Sequence, residues 1–207
     1  MPPSMPRRGL YLLTPDILDT ATLVARVGAV LPHAVLLQYR NKRAEPALAE
    51  RQAAALRQLC ARVGVPFVVN DDIALAACVG AEGVHLGETD GTLPAARSVL
   101  GAGAILGASC YDDLALATAA VAEGADYIAF GALFPSSTKP LARRATPALL
   151  HAATALGVPR VAIGGIGPDN VRVAIDAGAD LVAVIGGVFD APDPVVAARA
   201  CAAAFDR

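Results

Sequence analysis

Short apolar runs alternate with helical stretches along this chain, and the rhythm holds from one end to the other. The first run, residues 9–14, reads GLYLLT and stops at Pro15. From Asp19-Thr20 a helical pattern follows, with Leu23, Val24, Val27 and Leu31 close to a 3.6-residue period. The couplet then repeats: a strand over 34–38 and a long Ala/Leu/Arg/Gln helix over 46–63 closed by Gly64, a strand over 66–69 and a helix over 73–79 closed by Gly80. Strands over 83–86, 104–109 and 127–133 are each followed by a helix, over 93–100, 113–123 and 146–156. The last two couplets are strands over 160–163 and 181–185, with helices from Asp169-Asn170 to Gly178 and over 193–205.

Strands joined by crossover helices must run parallel, so all strand ends point to one face. Each strand is apolar throughout rather than alternating, as expected of strands buried on both faces. Internal echoes support a repeated unit: GVPFVV at Gly64 resembles GVPRVA at Gly157, and GAEGV, GADYI and GADLV each precede a strand. Eight couplets with no linker or break in composition predict an α/β protein of one domain over 1–207, a closed (β/α)8 TIM barrel with residues 1–8 as a ragged N-terminal extension. An open doubly wound sheet is the alternative, but no GxGxxG follows the first strand.

The chain has 207 residues, 55% of them hydrophobic and 17% charged, enough apolar material for a large core. A formal net charge of −2 argues against nucleic acid or a membrane surface as partner, so affinity for anions must come from a local cluster. No apolar run is long enough to span a bilayer, and the start is too short and proline-rich for a signal peptide, so a cytoplasmic protein is expected. Cys60, Cys78, Cys110 and Cys201 show no paired spacing and are expected to be reduced and buried.

Against this apolar scaffold the strand ends carry a polar set. The second strand leads into Gln38, Tyr39, Arg40, Asn41 and Lys42; the third ends in Asn70-Asp71; the fourth leads to Asp90; the fifth ends at Ser109. After the sixth come Ser136, Ser137, Thr138 and Lys139, and the last two strands end in Gly164-Gly165 and Gly186-Gly187. Carboxylates from neighbouring strand ends, with no Cys or His cluster, suit a Mg²⁺ that also holds substrate phosphates. The plainer reading makes Asn70-Asp71-Asp72 a helix cap and Asp90 a turn residue. Glycine-rich ends after the seventh and eighth strands suit a phosphate cradle, with Asp169-Asn170 capping the next helix. His85 reads as a packed core residue, and no histidine stands beside a nucleophile.

QYRNK, VNDD, GVHLGETD, GASCYD, GADYIAFGALFPSSTK, IGGIGPDN and GADLVAVIGGVF, in this order between Leu10 and Phe189, resemble the thiamine-phosphate synthase family. The resemblance implies a (β/α)8 barrel that joins hydroxymethylpyrimidine diphosphate to hydroxyethylthiazole phosphate, giving thiamine phosphate and diphosphate. It implies that Gln38, Tyr39, Arg40, Asn41, Lys42, Asn70, Ser109 and Lys139 bind the pyrimidine diphosphate, with Arg40, Lys42, Ser109 and Lys139 acting in catalysis. It further implies Mg²⁺ on Asp71 and Asp90, and thiazole phosphate on Ser136, Ser137, Thr138, Gly165, Ile185 and Gly186. The implied partners are small phosphorylated molecules, with a homo-oligomer left open.

The chain departs from the family pattern at Glu88, Asn41, Ser136 and Gly186, the last in place of a common serine, which removes a hydroxyl contact to the thiazole phosphate. Residues 140–146, with Arg143 and Arg144, also depart and read as a candidate lid. Three readings compete. A thiazole tautomerase-like barrel would carry a histidine where this chain has Tyr111. A phosphosugar isomerase or aldolase would want a base or Schiff-base lysine on a strand, whereas Lys42 and Lys139 fall in loop-like positions. A non-catalytic phosphate-ligand-binding barrel would keep the fold without turnover.

Overall fold

The computed structural model describes residues 5–135 and 143–206. Its strands are β1 (Gly9–Leu13), β2 (Leu36–Tyr39), β3 (Phe67–Asn70), β4 (Gly83–Leu86), β5 (Ile105–Tyr111), β6 (Tyr127–Gly131), β7 (Arg160–Ile163) and β8 (Leu181–Val184). They pair in sequence order, all parallel, and β8 closes on β1 through Gly9 opposite Leu181 and Tyr11 opposite Ala183. The expected closed barrel is therefore present, and the open-sheet alternative is excluded.

The helices are α1 (Thr20–Val30), α2 (Pro46–Val63), α3 (Ile73–Val79), α4 (Leu93–Leu100), α5 (Leu114–Ala122), α6 (Pro147–Ala152), α7 (Val171–Asp176), α8 (Gly186–Phe189) and α9 (Pro194–Ala203); all but the single turn α8, which follows β8 directly, form the outer ring. Local chemistry explains their bounds. Asp19, Asp72, Thr92, Asp113, Thr146 and Asp193 each accept a backbone N–H of the first turn, satisfying donors that no helical carbonyl can reach. α2 and α3 end on Gly64 and Gly80, both left-handed.

Two cores result. Leu10, Leu12, Leu37, Val69 and Val84 face the helices, while Tyr11, Leu13, Leu36, Val68 and Tyr127 fill the barrel. Both faces of each strand are buried, as the unbroken apolar runs require.

Some boundaries differ from expectation. The second strand begins two residues late, because Leu31–His33 forms a 3-10 turn that takes up the chain leaving α1. The sixth strand ends at Gly131 rather than 133, and residues 153–156 form a 3-10 turn in place of the last turn of the expected helix. The eighth strand stops at Val184, and Gly186-Gly187, expected as a plain turn, opens the helical turn α8. Among the cysteines, Cys78 is exposed on α3 while Cys60, Cys110 and Cys201 are buried. Burial pushes the thiols of Cys60 and Cys110 up to about 12 and that of Cys201 up to about 11, leaving them protonated and inert. Among the described residues, no helix is long and apolar enough to cross a membrane.

Candidate active site

A cavity of about 930 Å³ opens at the C-terminal ends of the strands. One wall carries Gln38, Arg40, Asn70, His85 and Ser109, from β2 to β5 and the turns after them. The opposite wall is rich in glycine backbone, Gly164, Gly165, Gly167, Gly186 and Gly187, with Ile185 among them and the polar Asp169, Asn170 and Asp190 beside it.

On the polar wall, strand alternation sorts the residues of QYRNK. Gln38 and Arg40 face inward. Tyr39 and Asn41 turn toward α2, where Tyr39 Oη donates to Gln52 Oε1 at 3.0 Å and Asn41 Nδ2 donates to Gln52 Oε1 and to the Ile17 carbonyl. Any role of those two in binding therefore runs through the placement of Arg40 and Lys42. Thr14 fastens the strand end on both sides: its Oγ1 accepts the Arg40 N–H and donates to the Arg40 carbonyl, each at 2.8 Å. Asp16 holds the Arg40 guanidinium at 3.3 Å and accepts the Lys42 N–H at 3.0 Å.

Asp71, Asp72 and Asp90 divide between the two sequence readings. Asp72 is the cap of α3, accepting the Leu75 N–H at 2.8 Å. That leaves Asp71 out of the cap, in a left-handed conformation at φ 65°, which a residue with a side chain adopts at a cost and which clusters at functional sites. Its carboxylate meets Lys42 Nζ at 2.6 Å and is hydrogen-bonded to Asp90. Asp90 does hold its turn, through the Gly87 N–H at 3.0 Å, but the same side chain reaches Asp71.

The two acids are consequently pushed apart. Burial would raise Asp71, but the bonds from Lys42 and Asp90 outweigh it and hold its carboxyl below the usual range. Asp90 is raised, by burial first and then by the bond to Asp71 and that neighbour's charge. Two acids in contact with an ammonium already drawn to one of them form an oxygen-rich, electronegative spot. That donor set suits a hard divalent cation that keeps water or phosphate oxygens as its other ligands. Among the described residues, no cluster of three or more His, Cys, Asp or Glu side chains forms a metal cage, so a cation there would depend on non-protein ligands.

The glycine wall is built by close approach. A Cβ on Gly165, which sits at φ 65°, would run into the Pro135 carbonyl, and one on Gly187 would run into the Ile166 carbonyl. Asn170 does not cap α7 with its side chain; it braces this loop, accepting the Gly167 N–H and donating to the Gly165 carbonyl, both at 2.9 Å. At Gly186, the place a serine side chain would take lies 2.7 Å from Asp190 Oδ2.

The family model described as thiamine monophosphate synthase matches residues 10–188. The chain belongs to that family. It is 58% identical over its whole length to all of the thiamine-phosphate synthase of Xanthomonas campestris pv. campestris (strain 8004), and 58% identical over 96% of its length to 97% of that of Azoarcus sp. (strain BH72). In structure it is similar to the thiamine phosphate pyrophosphorylase from Pyrococcus furiosus, with a TM-score of 0.86 and 32% identity over 97% of this chain and 96% of that one. As a thiamine monophosphate synthase family member it is an enzyme, a transferase.

Within this family member, Ser136, Ser137, Thr138 and Lys139 lie outside the described residues, as do residues 140–142 of the candidate lid. The returning end of that segment is anchored. The Arg143 carbonyl accepts the Ala132 N–H at 2.7 Å, and its guanidinium stacks 4.6 Å over Tyr111 while pairing with Glu88 at 3.4 Å and Asp112 at 3.7 Å.

Several residues had no signal in the sequence. Tyr11 and Tyr127 read as core, yet their hydroxyls meet at 2.8 Å beneath the cavity. His85 is buried as expected, but it lines the cavity and bonds Ser109 Oγ at 2.9 Å. Burial lowers its pKa to about 4, so it is neutral near pH 7. The one clue was position: a polar residue in a strand apolar on both faces.

Proposed function

We propose that this transferase couples hydroxymethylpyrimidine diphosphate to hydroxyethylthiazole phosphate, forming thiamine phosphate and releasing diphosphate. The observation that carries the reading is one cavity with two unlike walls. The charged wall fits a diphosphate and a heteroaromatic ring, and the glycine wall fits a second phosphorylated ligand brought face to face with the first.

In this reading Gln38 and Asn70 meet the pyrimidine, while Arg40, Lys42 and Ser109, with Lys139, take the diphosphate. The thiazole phosphate lies along Gly165, Ile185 and Gly186, with Ser136, Ser137 and Thr138. Asp71 and Asp90 would hold Mg²⁺, which when bound supplies positive charge to a departing diphosphate. Arg40 and Lys42 neutralise the same charge from fixed positions, since Asp16 and Thr14 orient the strand end that carries them. The C–O bond breaks with its electron pair leaving on diphosphate, and the ring's amino group stabilises the methylene cation. The thiazole nitrogen, positioned through its phosphate, donates its lone pair to that carbon. No protein base is required, consistent with a neutral His85 and inert buried thiols. A cytoplasmic location fits the chemistry and is part of the proposal.

The test is a coupling assay with both substrates and Mg²⁺, with and without chelator. Thiamine phosphate and diphosphate should form in equal amounts and stop on chelation. Both ligands bound but no product would instead support a binding barrel.

A further inference from the structure

Beneath the cavity, five side chains from five strands form one unbroken hydrogen-bonded line. Gln38 Nε2 donates to Tyr11 Oη at 2.6 Å, and Tyr11 Oη meets Tyr127 Oη at 2.8 Å. Tyr127 Oη meets His85 Nδ1 at 3.0 Å, and His85 Nε2 meets Ser109 Oγ at 2.9 Å. Tyr11, Tyr127 and His85 are buried; Gln38, Tyr11, His85 and Ser109 line the floor of the cavity, and Tyr127 lies beneath them. Gln38 Oε1 is buried and has no partner among the described residues, although burying a polar atom unpaired is costly. The barrel makes room for this line: a Cβ on Gly107 would strike both the Tyr127 ring and His85.

Proton counting gives the line a direction. An amide nitrogen can only donate, so with Nε2 on Tyr11 the phenol has Tyr127 as the partner in the line that can take its own proton. Tyr127 then donates to His85 Nδ1, His85 carries its proton on Nε2 and donates to Ser109, and the Ser109 hydroxyl proton is left facing the cavity. Burial raises both phenols, so each keeps the one proton the count requires. Turning the Gln38 amide over reverses every bond. Nε2 would then take the buried, unpartnered place that Oε1 now holds, and Ser109 would spend its proton on His85 and present only lone pairs. The ends are therefore coupled: a donor at Ser109 goes with an acceptor at Gln38.

We infer that Tyr11, Tyr127 and His85 are positioning residues that couple anion binding at Ser109 to recognition of an amino group at Gln38. An anionic phosphate oxygen at Ser109 demands the hydroxyl proton, which fixes Oε1 of Gln38 toward the ring. A ring presenting an exocyclic amine beside an unprotonated nitrogen matches that amide. Its 4-oxo counterpart, a carbonyl beside an N–H, requires the reversed amide and is rejected. This deepens the proposed function and rests on its assignment of the pyrimidine diphosphate to this wall.

The test compares kcat/KM for the 4-amino pyrimidine diphosphate and its 4-oxo analogue in wild type, Tyr127→Phe and Tyr11→Phe. In Tyr127→Phe the Tyr11 proton loses its acceptor and goes to Gln38 Oε1, so the amide turns over. The amino-over-oxo preference should fall by roughly tenfold or more, since a mismatched polar site is what supplies such discrimination. Tyr11→Phe releases the amide and should lower the preference too. A separate readout uses ¹⁵N-histidine spectra of wild type with Mg²⁺ and inorganic diphosphate, where His85 should carry its proton on Nε2. Equal loss on both substrates with an unchanged preference, or a proton on Nδ1, overturns the inference alone. A wild type that makes no product from the amino substrate overturns the site assignment and the inference with it.

Discussion

The two walls of the cavity are made by opposite means. From β2 to β5 the protein places side chains: Arg40 tied by Asp16, Asp71 in a left-handed conformation against Lys42, and Ser109 on His85. From β7 to β8 it removes them, and glycines let the loops after the two strands pack against neighbouring backbone. A charged wall can be retuned one functional group at a time. A backbone wall answers to any added atom, because close approach sets its shape.

The largest effect expected from breaking this contrast is on the charged wall. Asp71→Asn keeps the shape and removes the charge, and should lower Mg²⁺-dependent kcat/KM on the order of a hundredfold to a thousandfold. Normal turnover in that variant would remove Asp71 from the metal site.

Next in size is an acid dependence of stability from the floor of the same wall. The folded-state pKa of His85, about 4, lies below its ordinary value of 6.5, so the unfolded chain binds the extra proton first as pH falls. The native state has the full benefit above about pH 6.5 and loses it progressively down to about pH 4, by roughly 3 kcal/mol in all. Asp71, held low, adds a loss below the ordinary carboxylate range, while Asp90, held high, offsets part of it. Denaturant melts of wild type and His85→Gln between pH 4 and 7 should differ in slope, and parallel curves would contradict the assignment.

A small effect is expected where the charged wall turns its back on the cavity. Tyr39→Phe removes one hydrogen bond to Gln52 and should cost about 1 kcal/mol of stability with kcat within about twofold of wild type. A large loss of rate would place Tyr39 nearer the chemistry than its orientation allows.

The same contrast explains what was legible in the sequence. Segments bounded by strong local signals were read to the residue: α2 and α3 between their first residues and left-handed Gly64 and Gly80, and β4 and β7 as short, mostly apolar runs. Motifs on the charged wall were readable because charge is rare on so apolar a scaffold. What stayed hidden depends on direction. Strands buried on both faces give no sign of which residues point into the barrel, so Tyr11 and Tyr127 passed for packing. Asp71 and Asp72 are chemically alike, and only backbone conformation decides which caps α3 and which meets Lys42. Gly186-Gly187 reads as a turn because the helical turn it begins is set by packing of Val188 and Phe189, both buried.

The most direct test of the two-wall account is a crossed measurement of KM for both substrates in Arg40→Ala and Gly165→Ala. Arg40→Ala should raise KM for the pyrimidine diphosphate roughly tenfold or more, the worth of a charged hydrogen bond, and leave KM for the thiazole phosphate unchanged. Gly165→Ala, which forces a methyl against the Pro135 carbonyl at a left-handed position, should do the reverse. If either variant raises both constants together, the cavity does not divide its substrates between its walls.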